Sequence, residues 1–158
     1  MEIRLDEAGW HFGEMDSFVI EMLRELPGRA ATDDDAARAR IFSSPTDGAD
    51  AQEDQDWREN VTPELREFFQ SHVDVVRGNL AQLKTDGATA TLSIPIANAR
   101  AWIHTLNQAR LALGARHGVT EDDIEVRRKP RSEAKAYALM QIDFYGMLLG
   151  LLLSRTEL

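Results

Sequence analysis

Ten consecutive residues near the end of the chain, Phe144 to Leu153, carry no charged side chain, and they sit in a proline-free segment, 132–155. This predicts a helix from about Ser132 to Arg155. Phe144, Tyr145, Leu148, Leu149, Leu151, Leu152 and Leu153 encircle it, and a helix that is apolar all round is buried, in a core or at a subunit interface. Other helices must therefore pack around it. A membrane span needs roughly 20 apolar residues, about twice this run, so a core helix is expected and no membrane partner.

The periodicity upstream supplies those helices. Phe18, Val19, Met22, Leu23 and Leu26 recur at helical spacing behind a cap at Asp16 or Ser17, and Pro27-Gly28 is expected to end that helix. A short helix should start at Asp33–Asp35, whose carboxylates face the positive end of its dipole, and run to about Phe42. Thr62-Pro63-Glu64 opens a long helix reaching about Lys84, with Leu65, Phe68, Phe69, His72, Val73, Val76, Leu80 and Leu83 as its buried stripe. A second long helix is expected over Ile96–His117, with Ala99, Trp102, Ile103, Leu106 and Leu113 on one side and Gly118 as terminator. Thr120 to Asp123 begins a short helical turn.

Only two regions favour strands. Residues 2–15 alternate in polarity around a turn at Glu7-Ala8-Gly9 and read as a hairpin; Thr89–Ile94 reads as a strand that can pair with it. The expected fold is mainly α: one domain over 1–158, a bundle of four to five helices with a small antiparallel element from the hairpin and the strand near 89–95. A chain of 158 residues suits one domain with a real core.

Charge is unevenly distributed. Residues 30–61 hold nine acids against three bases, two-thirds of the net charge of −9. Ser43–Asp56 contains Pro45, Gly48 and five acids, and is expected to be a mobile loop anchored at Trp57. The acidic balance makes nucleic acid an unsuitable partner. The basic connector Arg127-Arg128-Lys129-Pro130-Arg131 has no interleaved aromatic residue and reads as a surface loop. The chain has no cysteine, which excludes disulfides, thiolate nucleophiles and cysteine metal sites. With no basic-then-apolar leader at the start, a cytoplasmic location is expected.

Catalytic signatures are missing. His11, His72, His104 and His117 show no metal-ligating spacing, with His117 at a helix C-terminus, where a protonated ring is stabilised. The acidic loop lacks the register of a calcium loop, and no glycine-rich phosphate loop occurs. No metal, cofactor or enzymatic activity is expected. Gly146 and Gly150 are expected to let a neighbouring helix approach closely. Two charges break the apolar stripes: Arg110, between Leu106 and Leu113, and Asp143, between Met140 and Met147. A lone buried charge is costly, so two readings follow. Either Arg110 and Asp143 pair with each other, with Asn107 nearby, or Arg110, Asn107 and Arg40 surround an anionic ligand.

Trp102, the segment Leu106-Asn107-Gln108-Ala109-Arg110-Leu111-Ala112-Leu113-Gly114-Ala115-Arg116 and the following Gly118-Val119-Thr120-Glu121-Asp122 form a distinctive run. This run resembles the core of a bacterial family catalogued as domain of unknown function two thousand and seventeen, with Gln108 where aspartate is common. Arg40-Ile41-Phe42 and Ile142-Asp143-Phe144-Tyr145 are similar to two further elements of that family. The resemblance implies no assigned catalytic residue. It implies a link to protein turnover, through genes of the family that neighbour the Clp-protease adaptor. Together these readings point to a non-catalytic interaction or regulatory protein with a protein partner or a second copy of itself, a homodimer. The alternative is an anionic-ligand-binding domain or enzyme built on Arg110, Asn107 and Arg40.

Overall fold

The computed structural model describes residues 1–125, 129–130 and 132–155. The chain opens with the expected hairpin, β1 (Glu2–Asp6) and β2 (Gly9–Met15). Gly9 pairs with Asp6 across the turn and with Pro95 of a later strand. Its φ is +143°, and a Cβ there would meet the Ile94 carbonyl oxygen at 2.1 Å, so only glycine fits. Two further strands, β3 (Lys84–Asp86) and β4 (Thr89–Pro95), complete an antiparallel sheet in the order β1-β2-β4-β3. Trp10, Phe12, Met15, Ala90, Leu92 and Ile94 point from its inner face into the core. A bulge between Phe12 and Met15 keeps Met15 buried despite the extra residue.

Seven α-helices are found among the described residues, and the fold is mainly α with a small sheet. Helix α1 (Ser17–Arg29) is capped by Asp16, whose carboxylate accepts from the Val19 amide at 3.0 Å. It runs through Pro27 instead of stopping there. A proline in the last turn removes a single amide bond, and the carbonyls beyond it are taken by side chains of a later helix. Helix α2 (Asp35–Ile41) is capped by Asp34. Helix α4 (Thr62–Leu80) ends four residues before Lys84, and the residues expected to finish it form β3 instead. A single 3-10 turn at Ile96–Asn98 leads into α5 (Ala99–Arg116), and α6 (Glu121–Glu125) and α7 (Glu133–Arg155) follow.

The acidic segment departs most from expectation. Half of it is a helix, α3 (Ala51–Asn60), capped by Asp50. Asp54, not Trp57, is its buried residue. Its carboxylate accepts from Thr46 Oγ1 at 2.7 Å and from the amides of Thr46 at 3.1 Å and Gly48 at 2.8 Å. These bonds, the Thr46 hydroxyl foremost, hold the Asp54 carboxyl below the usual carboxylate range. Polarity here closes the loop through hydrogen bonds rather than leaving it solvated.

Helix α5 is the centre of the molecule and touches α1, α2, α4 and α7. Asn79 of α4 is buried and accepts from Trp102 Nε1 at 2.9 Å and Asn98 Nδ2 at 3.2 Å. The N-terminal half of α4 lies off the core: Val73 and Val76 are buried, whereas Phe68 is exposed. Helix α7 is less enclosed than its composition implies. Tyr145, Leu148 and Leu152 are buried, but Met140, Met147 and Leu153 are each about half exposed. Its 23 residues include an 18-residue stretch of mean hydropathy 1.5, one third of it buried, so by length and composition it could cross a membrane. The ten-residue run that argued against a span underestimated it.

Candidate functional site

Gln108 and Arg116 on α5 fix the geometry of the site. Gln108 Nε2 donates to the Ala30 carbonyl. Arg116 donates to the carbonyls of Arg29 (2.8 Å) and Ala31, and its Nε reaches the Asp34 carboxylate. One glutamine and one arginine thereby cap the C-terminal end of α1 and lock the start of α2 onto α5. Asp34 is held below the ordinary carboxylate range: its desolvation is outweighed by the Ala37 amide and by Arg116. Sequence alone marked both only as members of the family-like segment, Gln108 where aspartate is common, and gave neither a role.

With α2 so placed, Arg40 in its last turn comes to the face of α5 that carries Asn107 and Arg110 one turn apart. These three side chains line one open cleft of about 350 Å³, whose remaining wall includes Leu111, Val119, Glu121, Ile124 and Ile142. That volume lies at the low end of small-ligand pockets, roughly 300–1,000 Å³. Arg40 and Asn107 are exposed and Arg110 is half-buried.

Arg110 does not pair with Asp143. Among the described residues the two make no ion pair or hydrogen bond, and Asp143 is exposed. The physical reason is the rotation of α7, which turns Gly146 rather than Asp143 toward the arginine. A Cβ on Gly146 would lie 3.3 Å from Arg110 Nε and 3.5 Å from Cζ. The glycine therefore makes room for a side chain, not for a helix backbone. Gly150 is exposed and has nothing within 4 Å, so it permits no close approach. Arg110 Nε is buried across α7 and has no hydrogen-bond partner among the described residues. The stem of the arginine packs, and its guanidinium meets the cleft with donor capacity to spare.

The match between chain and family extends over this whole site. The model of the family described as Domain of unknown function (DUF2017) matches residues 6–156. This chain belongs to that family. No curated protein and no solved structure matches it. The cleft of this DUF2017 chain, with Arg40, Asn107 and Arg110, lies inside the matched residues, as does Asp143.

In the DUF2017 chain, no group of three or more potential metal ligands gathers among the described residues. His11 sits between Asp6 (2.9 Å) and Ser93 (3.0 Å) on the outer sheet face. His72 of α4 and His104 of α5 stack face to face, with centroids 4.6 Å apart and planes 3° from parallel, and Phe68 stands edge-on to both. Burial lowers both imidazole pKa values, and the nearby Arg100 charge adds to it. His117 is also lowered, first by burial and then by the charges of Arg29, Arg116 and Lys135, against the direction expected from its helix-end position. The basic connector cannot be placed in this picture, since Arg127, Arg128 and Arg131 lie outside the described residues.

Proposed function

We propose that this chain is a non-catalytic binding domain that recognises an anionic group in the Arg40–Asn107–Arg110 cleft. The observation that carries this reading is Arg110: a half-buried cation with no ion pair or hydrogen bond among the described residues, beside a second arginine and an amide in one concavity. At the cleft its guanidinium keeps planar donors that suit an anionic group. Two guanidinium groups and an amide are binding groups, so the reading is recognition of the anion. In the intact cell this would be a cytosolic role, with α7 retained in the core by Tyr145, Leu148 and Leu152. The link to protein turnover that the family resemblance implies would then be regulatory.

The test is titration of the folded protein with phosphate, sulfate and acetate at constant ionic strength, followed by amide NMR. At least one anion should shift the amides of Asn107–Gly114 in a saturable way. Arg110→Gln and Arg40→Gln should each weaken binding about tenfold or more, since charge-assisted hydrogen bonds contribute roughly 1.5–3 kcal/mol. Absence of any saturable shift, or variants that bind as well as the parent, would overturn the reading.

The exposed methionines favour a second reading, association of two copies through α7. Met140 and Met147 lie two helical turns apart on one face and are 47% and 52% exposed, and methionine surfaces adapt readily to partners. Sedimentation equilibrium should then show a dimer that Met147→Glu dissociates; a monomer for the parent chain would remove this reading.

A further inference from the structure

We infer that the ligand of this cleft is a carboxylate carried on an aliphatic body, the pattern presented by a free aliphatic α-amino acid or by the last residue of a polypeptide. This rests on the anion-site reading above and narrows it.

Charge balance gives the first argument. Among the described residues, the cleft carries two guanidinium groups, Arg40 and Arg110, against one carboxylate, Glu121, a formal excess of one positive charge. A monoanion neutralises that excess. A phosphate monoester, with a charge of about −1.5 to −2 near neutral pH, would leave negative charge facing Glu121. The planar fork of arginine also matches a carboxylate in bidentate fashion.

The walls give the second argument. Leu111, Val119, Ile124 and Ile142 line the cleft, and among the described residues no aromatic side chain does. A base or ring would find nothing to stack on, whereas a branched aliphatic chain would find matching surface. Ile124 is 51% exposed, an aliphatic surface that such a ligand would cover, with a gain proportional to the apolar area removed from water.

Glu121 separates the two sources of this chemistry. A free amino acid presents an ammonium group next to its carboxylate, and Glu121 is the anion in the wall that can meet it. A polypeptide terminus presents an uncharged amide N–H there and does not need the charge.

The experiment is an amide NMR titration of the intact chain with four probes: L-leucine, N-acetyl-L-leucine, L-leucinamide and inorganic phosphate. At least one of the first two should shift the amides of Asn107–Gly114 and Glu121–Ile124 in a saturable way, and L-leucinamide should not. Arg40→Gln should weaken that binding about tenfold or more, and because Arg40 is exposed the substitution leaves the fold intact. Gly146→Ala, which crowds the Arg110 guanidinium, should weaken it as well. Glu121→Gln should weaken L-leucine alone if the free amino acid is the ligand, and should leave N-acetyl-L-leucine unchanged or tighter if a chain terminus is. Binding of L-leucinamide as strong as that of L-leucine would overturn the inference, because the carboxylate would not be recognised. Phosphate binding in the cleft without either leucine carboxylate would overturn it and leave the anion site standing. No shift with any probe would remove both.

Discussion

Arg116 shows how one side chain can carry a tertiary decision. It reaches two carbonyls at the end of α1 and the carboxylate that caps α2, and its own side chain is 20% exposed. Arg116→Met keeps most of the stem packing but orphans those acceptors. Loss of such charge-assisted bonds should cost about 2–3 kcal/mol in urea unfolding, and α2 should lose amide protection first. A variant as stable as the parent would show that water replaces the arginine without penalty. The same scale explains the expectation that failed. Arg110 and Asp143 looked alike in sequence, each a charge between apolar neighbours one turn away. The structure distinguishes them: Arg110 lies across Gly146, and Asp143 faces water. Helical spacing places a residue within about one face, and the difference between Asp143 and Gly146 is a small rotation within that face.

Two helices meet at the stacked imidazoles, and there the pH dependence of the fold is written. His72 and His104 have pKa values lowered from 6.5 in the folded chain, first by burial and then by neighbouring positive charge. Below that value the unfolded chain therefore binds more protons than the folded one. Stability is full above the unfolded pKa and falls as pH descends through and below it, down to the folded values. His117 shifts in the same direction and adds to the slope. The carboxylates with lowered pKa, Asp6, Asp34, Asp54 and Asp123, lose their contribution only at more acidic pH. Urea unfolding between about pH 7.5 and 5 should thus show declining stability, and a His72→Gln/His104→Gln chain should show a flatter decline. An unchanged slope in the double variant would assign the effect elsewhere. The acidic segment belongs to this scale too. Its composition reads as a loop because Asp, Gly and Pro disfavour helix, yet Asp50 and Asp54 act as cap and latch for α3 and its preceding turn.

At the scale of the whole molecule, α7 closes the core that α5 organises. Leu148 and Leu152 are 2% and 1% exposed, and Tyr145 is buried with its hydroxyl donating to the Met22 carbonyl at 2.8 Å. Burial pushes the Tyr145 phenol well above its usual pKa, so it remains a donor throughout the physiological range. Leu148→Ala or Leu152→Ala should each cost about 2–5 kcal/mol, and removal of 144–158 should abolish soluble folding. A soluble, fully helical truncated chain would show that the sheet and remaining helices suffice. Around Tyr145 runs a polar seam, in which Gln141 and Tyr137 of α7 donate to Glu25 of α1. It sets α7 against α1 at one register, because slippage would strand these groups without partners.

The sequence by itself determined the local facts: the hairpin with Gly9 at its turn, the helix starts at Asp16 or Ser17 and at Asp33–Asp35, the long helices and the apolar stripe of α5. These follow from backbone sterics, short-range hydrogen bonds and periodicity, all of which act within a few residues. It also singled out Arg40, Asn107 and Arg110 as a set that could surround an anion. Only the tertiary structure decided that these three line one cleft, that Asp143 stands apart, and that α1 continues through Pro27. Each of those outcomes depends on groups far apart in the chain. Arg116 reaches back 85 residues to Ala31, and Gln108 reaches 78 back to Ala30. Helix rotation is settled by such packing across the core, and no window of neighbouring residues contains it.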